Sequence, residues 1–217
     1  MATQREIAID VQQVSMSFGK EQVLFGVNHG FEQGLIHGIV GNNGSGKTVL
    51  MKCICGFLIP TQGQVLVDGQ RIGVDCDFPD DLGLIIETPG FLPNLSGYKN
   101  LKILARLRGR IGEKQLCDAM VRVGLDPDLK RPVGKYSLGM RQRLGIAQAM
   151  MEDPALFILD EPFNGLDKHG VAAMHALFQE LRARGKTILL ASHNATDIDT
   201  LCDTVCEMDA GRLTVWR

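Results

Sequence analysis

The segment Gly41-Asn42-Asn43-Gly44-Ser45-Gly46-Lys47-Thr48 constrains this chain more than any other stretch of it. It follows an apolar run, Leu35 to Val40, and leads into a helical pattern, Val49 to Cys55. A glycine-rich turn in that context aims successive backbone N–H groups and the positive end of a helix at one point, which suits a phosphate. Gly41 to Gly46 and Val49 would then surround the anion, Lys47 would reach the β and γ phosphates, and the Thr48 hydroxyl would ligate Mg²⁺. A strand-turn-helix unit of this kind belongs in a parallel α/β sheet.

The rest of the chain agrees with that class. Segments of β composition fill the first third: Ile7 to Ser17, Gln22 to Glu32, Leu35 to Val40, Gln64 to Val67 and Leu82 to Ile86, separated by turn signals such as Gln33-Gly34 and Asp68-Gly69. From Ser96 to about Glu152 the spacing is helical, carried by Leu101, Leu104, Ala105 and Leu107, by Leu116, Ala119, Met120 and Val123, and by Leu144, Ala147 and Met150. After Asp153-Pro154, strand and helix patterns alternate through Leu156 to Leu159, Lys168 to Arg184, Thr187 to Ala191 and Ala195 to Cys202. These patterns predict one α/β domain over 1–217, with a core from 1–87 and 153–217 and a helical insertion at about 96–152. The 217 residues leave little room for a second full domain at about 150 residues each.

Charge is distributed unevenly. The net is −2, but Gly97 to Arg143 holds twelve basic residues against four acidic, which leaves −10 on the remainder. Lys99, Lys102, Arg106 and Arg110 recur at helical steps and predict one basic face, either solvated or turned toward something anionic. Apolar runs such as Ala155 to Leu159 are far shorter than the ~20 residues that cross a bilayer, and the first residues, with Arg5, Glu6 and Asp10, lack the pattern of a secretory signal. A cytosolic protein is expected. Six scattered cysteines with no C-x-x-C pair read as reduced thiols.

A second chemical signal lies in Ala155-Leu156-Phe157-Ile158-Leu159-Asp160-Glu161, an apolar strand that ends in two carboxylates. Ligands of open α/β sheets gather at such strand ends. Asp160 is placed to hold Mg²⁺ and Glu161 to orient or deprotonate the attacking water. Paired acids after an apolar strand are common by themselves; it is the phosphate turn that gives this pair its meaning.

With these two motifs, Tyr136-Ser137-Leu138-Gly139-Met140-Arg141-Gln142-Arg143, Asn164-Gly165-Leu166-Asp167 and Ser192-His193 occur in the order in which ATP-binding subunits of ABC transporters carry their signature, D-loop and switch histidine. The chain resembles that family nearly end to end. The resemblance implies a P-loop NTPase core, an N-terminal antiparallel β subdomain and an inserted helical subdomain. It implies ATP and Mg²⁺ as cofactors and two subunits closing around two ATP molecules, as a homodimer. It also implies a separate membrane-spanning partner on the cytoplasmic face of the membrane. Phe18 would stack on adenine. Ser137 and Gly139 would meet the γ phosphate held by the opposite protomer, with Asp167 at the seam between the two. His193 would contact the γ phosphate, beside Glu161 and Lys47 as catalytic groups. Asp167 also reads as a helix N-cap.

Two positions depart from the family pattern. Glu87 stands where a Q-loop glutamine is usual, and would join Thr48 and Asp160 at the metal through a bound water. As a third carboxylate it should raise the pKa of at least one neighbour. Leu138 replaces a signature glycine. Together with Thr88-Pro89-Gly90 and the sequence after Ser137, these departures resemble the exporter branch that includes bacitracin-resistance and lantibiotic-immunity ATPases. That branch implies export of a drug or an antimicrobial peptide. A soluble ABC ATPase acting on nucleic acid or ribosomes is the rival reading, with the basic segment as its footprint. Only 50 residues separate Glu87 from Ser137, too few for the coiled coil of chromosome-repair members. No nucleic acid is therefore expected as a partner.

Overall fold

A computed structural model describes residues 6–87 and 89–216; Arg5 and Thr88, both named above, lie outside the described residues. Strands β1 (Ile7–Phe18) and β2 (Glu21–Glu32) form an antiparallel hairpin. Strand β3 (Ile36–Val40) runs into the glycine-rich turn and helix α1 (Lys47–Ile54). Strands β4 (Gln62–Val67) and β5 (Gln70–Arg71) then return beside β1 and complete an antiparallel sheet in the order β2-β1-β4-β5.

After β6 (Leu82–Ile85) come three helices, α2 (Gly97–Arg108), α3 (Glu113–Arg122) and α4 (Leu138–Met150). The chain ends with β7 (Leu156–Asp160), α5 (Lys168–Ala183), β8 (Thr187–Ser192), α6 (Ala195–Leu201), β9 (Thr204–Asp209) and β10 (Arg212–Val215). These strands and β3 make a second sheet in the order β10-β9-β3-β8-β7-β6. All its pairs are parallel except β9 with β10. The α/β class, the mostly parallel sheet and the antiparallel unit are as expected.

Strands β3, β7 and β8 are buried at every position because the parallel sheet is covered on both faces, which is why their sequences read as unbroken apolar runs. Alternate side chains feed two cores. Phe157, Leu159, Ile188 and Leu190 pack toward the helices, and Leu156, Ile158, Leu189 and Ala191 pack toward α1 and the antiparallel sheet. Each of the Leu, Ile and Phe side chains contributes about 1.5–3 kcal/mol through burial.

The helical region corrects two readings. Ser96 caps α2 through its hydroxyl, and Gly109 ends it in a left-handed conformation, so Arg110 lies beyond the helix and off the basic face. Lys102 is ion-paired with Glu113. Leu107 is 78% exposed. Six residues on from Leu101, it points about 240° round the helix from the buried face. The last two strands went unread: β9 carries Glu207 and Asp209 among its apolar residues, and β10 is an edge strand with three of four positions exposed.

All six cysteines are free thiols, and burial pushes Cys53 and Cys55 up to about 12 and Cys206 up to about 11, which keeps all three protonated. At the second position of β3, buried His37 donates from Nε2 to the Glu32 carbonyl at 2.8 Å, and its Nδ1 meets the Thr204 hydroxyl at 2.6 Å. A carbonyl only accepts, so Nε2 carries the proton; burial disfavours a charged ring, which leaves Nδ1 to accept from the hydroxyl. Burial lowers its pKa from 6.5, and that of nearby His29 in the same way. A lowered histidine pKa adds stability above the unfolded value that is lost as pH falls through the folded one. Thermal melts should therefore drop on going from pH 7.5 to 5.5, by about 2–4 °C for each kcal/mol lost at this chain length. The variant His37→Gln should melt lower at pH 7.5 and show a shallower acid dependence; an unchanged slope would assign the acid sensitivity elsewhere.

Candidate functional site

Parallel pairing puts the C-terminal ends of β3, β8, β7 and β6 on one edge of the sheet, and each end delivers one part of the site. The glycine-rich turn leaves β3, Asp160 and Glu161 end β7, His193 follows β8, and Glu87 follows β6. The turn itself is tight. Gly46, at the start of α1, has φ +110, and a Cβ there would come within 2.9 Å of Leu24. A Cβ on Gly41 would fall 2.2 Å from the Met208 carbonyl. Only glycine fits at these two points.

Beside the turn is a cavity of about 250 Å³ whose walls include Gly44, Lys47, Thr48, Val49, Asp160 and Glu161. Lys47 is buried and folds back so that Nζ donates to the carbonyls of Gly41 at 2.7 Å and Asn42 at 3.1 Å. The buried Ser45 hydroxyl has no hydrogen-bond partner among the described residues. A curled lysine, an orphaned hydroxyl and a helix N-terminus fit a polyphosphate at this wall.

Across the cavity the Thr48 hydroxyl donates to Asp160 Oδ2 at 2.6 Å. Burial raises the Asp160 pKa, with the Thr48 hydrogen bond and Lys47 opposing and the Glu161 and Glu87 charges adding to the rise. A carboxylate so poorly solvated is a good partner for a cation. Thr48 and Asp160 therefore fit Mg²⁺, which when bound would neutralise phosphate charge. Glu87 does not join them: its carboxylate is ion-paired with Lys52 of α1.

Glu161 and Glu87 both adopt left-handed backbone conformations, φ +50 and +59, rare for residues with a Cβ and held here by their surroundings. For Glu161 these are the Ala191 carbonyl, which accepts its N–H at 2.9 Å, and Gln142, whose Nε2 donates to its carbonyl at 3.1 Å. The Glu161 carboxylate accepts from the His193 backbone N–H at 3.0 Å and meets His193 Nδ1 at 2.9 Å. Glu161 and His193 are thus held together, with Glu161 in the cavity wall and its carboxylate able to accept a proton.

Phe18, Ser137, Gly139 and Asp167, all named from sequence, do not line this cavity. Phe18 is half exposed at the end of β1, outside the cavity wall. Ser137 caps α4 by accepting from the Met140 N–H at 3.2 Å, with Gly139 in the same first turn, and neither lines the cavity. Asp167 caps α5, accepting from the Gly170 N–H at 2.7 Å. Sequence reasoning gave no role to Lys52 or Gln142. For Lys52 the signal was its spacing, four residues after Thr48 on one helix.

The ABC transporter family profile matches residues 24–164, which include the turn, the paired carboxylates and the signature. The chain belongs to the ABC transporter family. This ABC ATPase is 41% identical over 205 residues to an uncharacterized ABC transporter ATP-binding protein of Bacillus subtilis, YybJ, covering 94% of each chain. It is 39% identical over 210 residues to the bacitracin transport ATP-binding protein BcrA of Enterococcus faecalis, covering 96% of this chain and 68% of BcrA. Among solved structures, one described as the ATP binding subunit of an ABC transporter superposes with a TM-score of 0.85 at 27% identity, over 96% of this chain and 90% of the other. The chain is accordingly an ATP-binding subunit, and ATP hydrolysis is its enzymatic activity. In this ABC ATPase, Lys47→Ala should weaken binding of a fluorescent ATP analogue by about 10- to 100-fold, the worth of a charged hydrogen bond of about 1.5–3 kcal/mol. A thermal melt near that of the wild type would show the fold intact, and full affinity would remove Lys47 from the phosphate site.

Proposed function

We propose that this ATPase works as one half of a pair that closes around two Mg²⁺-bound ATP molecules and drives a separate membrane-spanning subunit exporting a drug or an antimicrobial peptide. The observation that carries the reading is the division within a single chain. The phosphate cavity has Lys47, Thr48, Asp160 and Glu161 in its wall, whereas Ser137 and Gly139, in the turn that opens α4, do not line it. A second copy presenting that turn completes the shell around the γ phosphate, with Asp167 at the seam and Phe18 against adenine. The 1–87 and 153–217 core carries the chemistry, and the helices of about 96–152 convey closure to the partner at the cytoplasmic face of the membrane.

A membrane partner is supported by the names of the relatives and by the lack, among the described residues, of any helix long and apolar enough to cross a membrane. The type of cargo is supported by the likeness to the bacitracin transport protein. The nucleic-acid reading loses its main support because the basic surplus is partly neutralised within the fold. Lys102 pairs with Glu113, Arg108 with Glu152 and Arg122 with Glu180, while Arg141 and Arg143 donate to the carbonyls of Tyr136 and Val123.

The test is Glu161→Gln. With the general base lost, hydrolysis should fall about 10²-fold or more while ATP binding persists. Small-angle scattering with Mg-ATP should then report a particle of twice the monomer mass. A variant that hydrolyses normally, or that stays monomeric when saturated with nucleotide, would overturn the proposal.

A further inference from the structure

The carboxylate of Glu87 adds a third negative charge at the strand ends that carry Asp160 and Glu161, since β6 and β7 are adjacent parallel strands. Like charges this close are costly unless each has a partner. Asp160 has the Thr48 hydroxyl and Glu161 has His193. Lys47 is occupied by the carbonyls of Gly41 and Asn42. Glu87 has Lys52.

The position of Lys52 gives this pair its meaning. It sits one turn after Thr48 in α1, so the residue that offers a hydroxyl to Asp160 and the residue that holds Glu87 share one helix face. We propose that Lys52 is a positioning residue, which keeps the Glu87 carboxylate on the flank of α1 and clear of the Thr48–Asp160 corner until a divalent cation draws it away. The inference rests on the Mg-ATP reading of the cavity. Glu87 is well placed for such a choice: its side chain is 64% exposed, which leaves it free to move, while its left-handed backbone fixes where it starts. Two residues on, Pro89 packs against Gly145 of α4, where a Cβ would approach its ring to 2.9 Å.

The experiment is a double-mutant cycle read by electron paramagnetic resonance of Mn²⁺, used in place of Mg²⁺, binding in the presence of a non-hydrolysable ATP analogue. Lys52→Met releases Glu87 toward the corner and should tighten Mn²⁺ binding about fivefold, the size that a partly exposed ion pair sustains. In the Glu87→Gln background the same change should alter binding by less than about twofold, because there is no carboxylate to release. Lys52→Arg should behave as the wild type. If Lys52→Met has the same effect in both backgrounds, Lys52 acts only as a distant charge and the proposal fails. If Lys52→Met melts far below the wild type, Lys52→Gln supplies the same comparison. A wild-type protein that binds the analogue but shows no metal coupling overturns this inference alone, and one that binds no nucleotide overturns the proposed function with it.

Discussion

Parallel hydrogen bonding between β3, β8, β7 and β6 is the constraint from which the rest of the site follows. A parallel strand must leave its sheet on the same side as its neighbours, so four chain segments far apart in sequence end along one edge. Such a sheet is tolerated only when both faces are covered. The helices and the antiparallel sheet supply the two covers, each closed by its own apolar core. The site needs no long-range alignment beyond this, because register in the sheet sets the spacing of Lys47, Asp160, Glu161, Glu87 and His193.

Electrostatics then decides what each strand end does. Asp160 lies at the last position of a fully buried strand, and desolvation makes it the carboxylate most in need of a cation. Glu161, one residue later, has turned out of the strand through a left-handed backbone and finds histidine and backbone N–H donors instead. Neighbouring residues of like chemistry thus separate into a desolvated carboxylate that accepts from Thr48 and a hydrogen-bonded one that accepts from His193. The separation comes from one change in backbone direction, since it moves one carboxylate out of the apolar layer that holds the other.

The glycine-rich turn and the strand ending in Asp160-Glu161 were legible in the sequence because their chemistry is contiguous: the residues that act are neighbours in the chain. The buried strands were legible because double-sided burial writes an unbroken apolar run. Strands β9 and β10 were not, since one carries two acids and the other is a mostly exposed edge, and they are placed by pairing, β9 on β3 and β10 on β9, rather than by their own composition. The basic stripe was read one residue type at a time, without Gly109 as a stop or Glu113 as a partner. The Lys52–Glu87 pair joins residues 35 positions apart, and no local pattern records such a contact.

The two departures from the family pattern share a physical form. Each is a larger or more charged side chain met by a partner elsewhere in the same chain. Glu87 brings a charge and Lys52 supplies the opposite one. Leu138 brings bulk, and it packs over Gly165, where a Cβ would lie 2.4 Å from its Cγ. Its side chain lies over the D-loop backbone, and Gly139 keeps its own close approach to the Gly165 carbonyl. A signature that had merely decayed would leave unpaired charge and steric conflict. The fold instead matches each change locally, so the surfaces around the cavity and the Ser137 turn are built to a consistent alternative pattern.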